Sequence, residues 1–135
     1  MSVFAPDALL DCPEATLAML ERQARAWISG DFAPAAPDWH PEGELLAPGN
    51  RVPLAAMADT IRAFHADFTD LAITITSAFA APGGTLIGLE WLWEVTRRAD
   101  GARSATPDGI VVEMEDGVIR SWREYFDTAG AVETA

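Results

Sequence analysis

Three short turn signals cut the second half of this chain into pieces of strand length. They are Pro82-Gly83-Gly84, Asp100-Gly101 and Asp116-Gly117. Between them the residues alternate apolar and polar, the period of a half-buried strand. The spacing predicts strands over 71–80, 85–98, 104–115 and 118–127, joined as hairpins. Such a meander is antiparallel, and its apolar face must be covered.

The first half supplies the cover. Asp11-Cys12-Pro13-Glu14 reads as a helix start, with Asp11 as cap, Pro13 in the first turn and Glu14 closing a capping box. Leu17, Leu20, Ala24, Trp27 and Ile28 follow at helical spacing, and Gly30 is the natural stop. Glu44–Pro48 reads as a short strand. A second helix is expected over 53–68, with Leu54, Met57, Ala58, Ile61, Phe64, His65 and Phe68 on its inner face. The order, helices and then a meander, gives an α+β domain with helices on one sheet face. Residues 1–12 are expected as a lead-in and 129–135 as a tail. At 135 residues and 50% apolar, the chain has the material for one core.

Charge narrows the function classes. The formal net charge is −12, and all nine basic residues are arginines. A field of this sign repels phosphate backbones and anionic lipid, so neither nucleic acid nor membrane is an expected partner. Without lysine there is no side-chain Schiff base. The single cysteine, Cys12, forms no internal disulfide, which fits a cytoplasmic location. No phosphate loop, zinc signature or serine-hydrolase elbow is present, so no cofactor or metal is expected.

Strand parity then sorts the carboxylates. Over 85–98, Ile87, Leu89, Trp91, Trp93 and Val95 share the inward face. In the next strand Ile110, Val112 and Met114 point in. In the last, Trp122, Glu124 and Phe126 share the inward side, while Ser121, Arg123, Tyr125 and Asp127 share the other. One carboxylate, Glu124, is thus placed among aromatic rings. Burying an unpaired carboxylate costs several kcal/mol, so it must be paired, protonated or solvated in a cavity.

The chain resembles the NTF2-like superfamily, in its SnoaL-like and limonene-epoxide-hydrolase-like branch, over residues 13–128. The resemblance rests on Ala26-Trp27-Ile28-Ser29-Gly30-Asp31-Phe32, on Leu46-Ala47-Pro48-Gly49 before a helix, and above all on the closing hairpin and strand Glu115–Asp127. It implies a curved antiparallel sheet wrapped around the helices, a cone with an internal pocket, and dimers formed through the outer sheet face. Trp91-Leu92-Trp93 stands where the epoxide hydrolases carry Arg-x-Asp, and Glu44 and Leu46 stand where they hold the water with Tyr and Asn. Of that machinery only the last carboxylate has a counterpart, Glu124, so epoxide hydrolysis is not expected.

The expected function is cofactor-free acid/base chemistry, of isomerase, cyclase or dehydratase type, on an apolar cyclic or carbonyl substrate. Glu124 is the candidate acid/base and His65 its assistant. Trp27, Trp39, Phe64, Phe68, Trp91, Trp93, Met114, Trp122 and Phe126 are the candidate substrate-binding residues. A bulge that shifted parity would bring Tyr125 and Asp127 inward instead. The alternatives are a non-catalytic module that holds a small apolar ligand, and a dimeric interaction protein working through its outer sheet face.

Overall fold

The computed structural model describes residues 2–128 and the backbone of 132–134. Eight strands and two α-helices are present: β1 (Phe4–Asp11), α1 (Glu14–Ser29), β2 (Trp39–Ala47), β3 (Asn50–Pro53), α2 (Leu54–Asp67), β4 (Phe68–Ala80), β5 (Leu86–Arg97), β6 (Arg103–Glu115), β7 (Val118–Tyr125) and β8 (Val132–Thr134). The four strands of the meander run antiparallel in the order β4-β5-β6-β7, as the turn spacing requires. The class is α+β.

The flanks differ from the sequence reading. The lead-in is a strand: β1 pairs in parallel with β4, and Asp11 ends it rather than capping a helix. Helix α1 has Pro13 at its N-cap and no side-chain cap. The Glu44–Pro48 strand is longer than expected and begins at Trp39. It pairs in parallel with β7 and turns at Pro48-Gly49 into β3. The sheet is therefore parallel where β1 meets β4 and where β2 meets β7, and antiparallel at the other described pairings. Of the tail, 129–131 and 135 lie outside the described residues, while 132–134 pair with Arg103–Ala105 of β6.

Both helices lie on the inner face, α1 against β4 and α2 against β2, β3 and β4. Met19, Leu20, Gln23, Ala24 and Ala26 are the buried residues of α1, and Met57 and Ile61 those of α2. Gly30 takes a left-handed φ of 81° and returns its N–H to Ala26 O at 3.0 Å, the stop expected of glycine here. From the sheet, Ile87, Leu89, Trp91, Val95, Ile110, Val112 and Trp122 join one core.

Gly43 fixes the approach of β2 to β7. A Cβ there would lie 2.7 Å from Ile119 O and 3.0 Å from both His40 O and the Trp39 ring. Backbone atoms cannot yield as a flexible side chain does. Gly43→Ala is expected to destabilise the fold by about 1–3 kcal/mol in denaturant unfolding.

Candidate functional site

Strand β7 pairs with β6 from Glu115 back to Gly109, and β8 resumes at Ala105. On that side 106–108 have no described strand partner. Pro107, opposite Leu92 of β5, lies in this stretch. Beside it opens a cavity of about 370 Å³, lined by Trp27, Ala47, Asn50, Phe64, Phe68, Trp93, Thr106, Asp108, Glu124 and Phe126.

The floor of the cavity carries two carboxyl groups. Glu124 is opposite Ile110, and Asp108 lies two residues before Ile110, so the two are diagonal neighbours on one face. Asp108 is only 5% exposed. Glu124 is half-buried because it borders the cavity, while protein surrounds its carboxyl. Each accepts one indole N–H: Trp91 Nε1 donates to Asp108 Oδ2 at 3.1 Å, and Trp122 Nε1 donates to Glu124 Oε2 at 2.8 Å. No arginine or histidine pairs with either among the described residues.

Proton sharing follows from this arrangement. Asp108 Oδ1 is buried and has no donor. The Glu124 carboxyl is its hydrogen-bonding neighbour, and two carboxyls bond to each other only if one carries a proton. Burial, then the charge of Asp108, pushes Glu124 well above the ordinary range. Burial pushes Asp108 up to about 6, against the pull of its bonds to Glu124 and Trp91. With one proton between them the pair carries a single negative charge, and it titrates as a unit.

The other residues singled out from the sequence divide into three groups. Trp27, Phe64, Phe68, Trp93 and Phe126 line the cavity. Trp91 and Trp122 are fully buried beneath it and reach the carboxyls through their N–H groups. Trp39 and Met114 pack in the core away from it, Trp39 donating to Gln23 Oε1 at 2.9 Å. His65 is elsewhere. Its Nε2 donates to Trp27 O at 2.5 Å and its ring packs against Gly30, so it closes the end of α1 and does not line the cavity. A bulge does occur in β7, but it lies between the pairs Glu113–Ser121 and Met114–Ile119, ahead of Trp122. Glu124 consequently stays inward, Tyr125 is 60% exposed, and Asp127 is exposed beyond the strand. Arg123 pairs across the outer face with Glu113 at 2.6 Å.

Asp108 is the residue the sequence reading missed. It has the parity of Ile110, Val112 and Met114, so the rule that located Glu124 also locates Asp108. Among the described residues no group of three or more His, Cys, Asp or Glu side chains is placed to hold a metal ion. No described helix is long and apolar enough to cross a membrane.

The SnoaL-like domain pattern matches residues 20–122, from within α1 to the tryptophan that holds Glu124. The chain belongs to the SnoaL-like family. No protein of curated function matches its sequence. Among solved structures, a Catenulispora acidiphila protein of ketosteroid isomerase-like fold, in complex with trimethylamine, is similar at 15% identity and a TM-score of 0.72, over 82% of this chain and 85% of that one. A putative polyketide cyclase from Xanthomonas campestris is similar at 17% identity and a TM-score of 0.71, over 84% and 90%. An epoxide hydrolase of the limonene type from M. tuberculosis is similar at 20% identity and a TM-score of 0.68, over 83% and 82%. These likenesses place the chain in the NTF2-like fold. As a SnoaL-like domain it shares that fold with proteins that handle small molecules.

Proposed function

We propose that this SnoaL-like protein is a cofactor-free acid/base enzyme that moves protons on a cyclic or carbonyl substrate. The observation that carries the reading is the Asp108–Glu124 pair: two carboxyls without a cationic partner, facing an aromatic cavity. Ion-paired carboxylates are too weakly basic for this work, whereas burial lifts this pair toward neutrality.

In the proposed step, the cavity-side oxygen of Glu124 takes a proton from the carbon next to a substrate carbonyl. The proton Glu124 already shares passes to Asp108, so the pair goes from one proton to two. The pair then returns one proton, to the enolate oxygen or to a second carbon, and regains its single negative charge. Isomerisation, cyclisation and dehydration all use such a step.

Proton exchange in heavy water tests this without knowledge of the natural substrate. With β-tetralone and cyclohexenone as probes, the protein is expected to accelerate deuterium uptake beside the carbonyl, followed by NMR. Uptake at the buffer rate for both, with saturable binding of either, would identify a binding module instead.

We also propose that two copies pair through the outer sheet face. Phe79, Leu86 and Tyr125 are 56%, 44% and 60% exposed there, and across the sheet Phe79 is opposite Gly88, whose lack of a side chain leaves room for that ring. Exposed aromatic groups of this kind are typical of interfaces. Sedimentation is expected to show a dimer that Phe79→Glu dissociates. A monomer at all concentrations would refute it.

A further inference from the structure

The charge and the walls of this cavity together select one class of occupant. We propose that it binds alkylated ammonium ions, tertiary or quaternary, with the cationic nitrogen over the Asp108–Glu124 pair and its alkyl groups against the rings. The inference rests on the reading of the cavity as the ligand site, and names what that site takes.

Three observations support it. Five of the ten lining residues are aromatic: Trp27, Phe64, Phe68, Trp93 and Phe126. Ring faces attract cations, and tryptophan does so best. Second, the only ionisable groups lining the cavity among the described residues are Asp108 and Glu124. Sharing a proton, they keep a negative charge that two indole N–H groups and the Tyr125 backbone help to disperse. The chain supplies no lysine, and no described arginine reaches the pair. A ligand must therefore provide any positive charge. Third, the other described residues that line the cavity are Ala47, Asn50 and Thr106, so neutral acceptors are few.

That last point separates alkylated from primary ammonium. A primary ammonium is a compact, strongly hydrated charge with three N–H donors to satisfy. This cavity has too few acceptors to replace its water. A tertiary or quaternary ammonium spreads its charge over alkyl groups, gives up less hydration, and offers an apolar surface to the rings. The overall charge of −12 favours its approach.

Choline and its neutral isostere, dimethylbutanol with a tert-butyl end, have the same shape and differ in charge. Their binding to the full-length protein is to be compared in mildly alkaline buffer by calorimetry and by NMR of the tryptophan indoles. Choline is expected to bind at least tenfold more tightly, and to shift the Trp27 and Trp93 signals. Glu124→Gln with Asp108→Asn is expected to erase the preference while leaving the isostere's affinity within about twofold. Trp93→Leu, a cavity-wall change outside the carboxyl pair, is expected to weaken choline more than the isostere. Equal affinity for the two, or tighter binding of the neutral one, would overturn the proposal. So would no detectable binding of choline by a folded protein. Ketone exchange is scored separately: choline binding without exchange removes the enzyme reading only, and exchange without charge preference removes this proposal only.

Discussion

Stability is expected to fall as pH rises from about 4 to beyond 6, and the Asp108–Glu124 pair is expected to cause most of that fall. Both carboxyls have folded-state pKa values above their unfolded ones. The folded state therefore binds more protons across this window, and stability decreases with pH wherever that is so. Their contribution is fully present below the unfolded values, near 4. It is lost as pH rises through about 6 for Asp108, and through the raised pKa of Glu124. For Asp108 alone, the rise from 3.8 to about 6 corresponds to a loss on the order of 3 kcal/mol. Asp100 acts the other way. Arg97 holds it down to about 2, so its contribution is present above its unfolded pKa and lost in acid, but it is fully exposed and offsets little. The general repulsion of a chain with −12 charge also eases in acid, and this needs a control. The double variant Asp108→Asn, Glu124→Gln keeps every other acid. Urea unfolding over pH 4–8 is expected to show a steep decline for the native protein and a clearly shallower one for the variant. Parallel declines would mean that the pair ionises freely in the folded state.

How much of this was legible in the sequence depends on the range of the interactions. The meander is local: each hairpin carries its own turn, and the alternation fixes which side chains face inward. Glu124 was found that way. Asp108 lies in the expected strand 104–115 and follows the same parity, yet the inward residues named there began at Ile110. What holds that segment in the sheet is its pairing with β5, Pro107 opposite Leu92 and Asp108 opposite Trp91. Strand β1 was missed for another reason. Its partner β4 lies across the whole of α1 and α2, and parallel pairing leaves no turn signature. The extension of β2 through Pro41 and Gly43 likewise depends on a distant parallel partner, β7. Among the aromatic residues, parity assigns a face but not a depth. Trp91 and Trp93 share a face, yet one is buried beneath the carboxyls and the other lines the cavity. His65 shows the same limit on a helix. Its inward position was legible, but the carbonyl of Trp27 that takes its proton was not.

Glu124→Gln is expected to slow proton exchange on ketone probes by at least about 10²-fold, the usual worth of a positioned general base. The amide keeps the shape of the side chain and can still meet the Trp122 N–H, so the fold should persist, and circular dichroism checks that. What it cannot do is accept a proton at neutral pH. Asp108→Asn should behave differently, because Asp108 is the less exposed of the two and its Oδ1 is buried. An amide at 108 donates N–H to Glu124 and carries no charge. Both changes favour the ionised form of Glu124 and lower its pKa. Exchange should then fall less than in Glu124→Gln, and its pH dependence should move to lower pH. A residue that merely supported the wall of the cavity would reduce the rate without moving the profile. The two variants thus assign separate roles: Glu124 as the group that touches the substrate, Asp108 as the group that sets its proton affinity. Native-like rates in Glu124→Gln would remove Glu124 from the chemistry, and an unshifted profile in Asp108→Asn would remove Asp108 from its control.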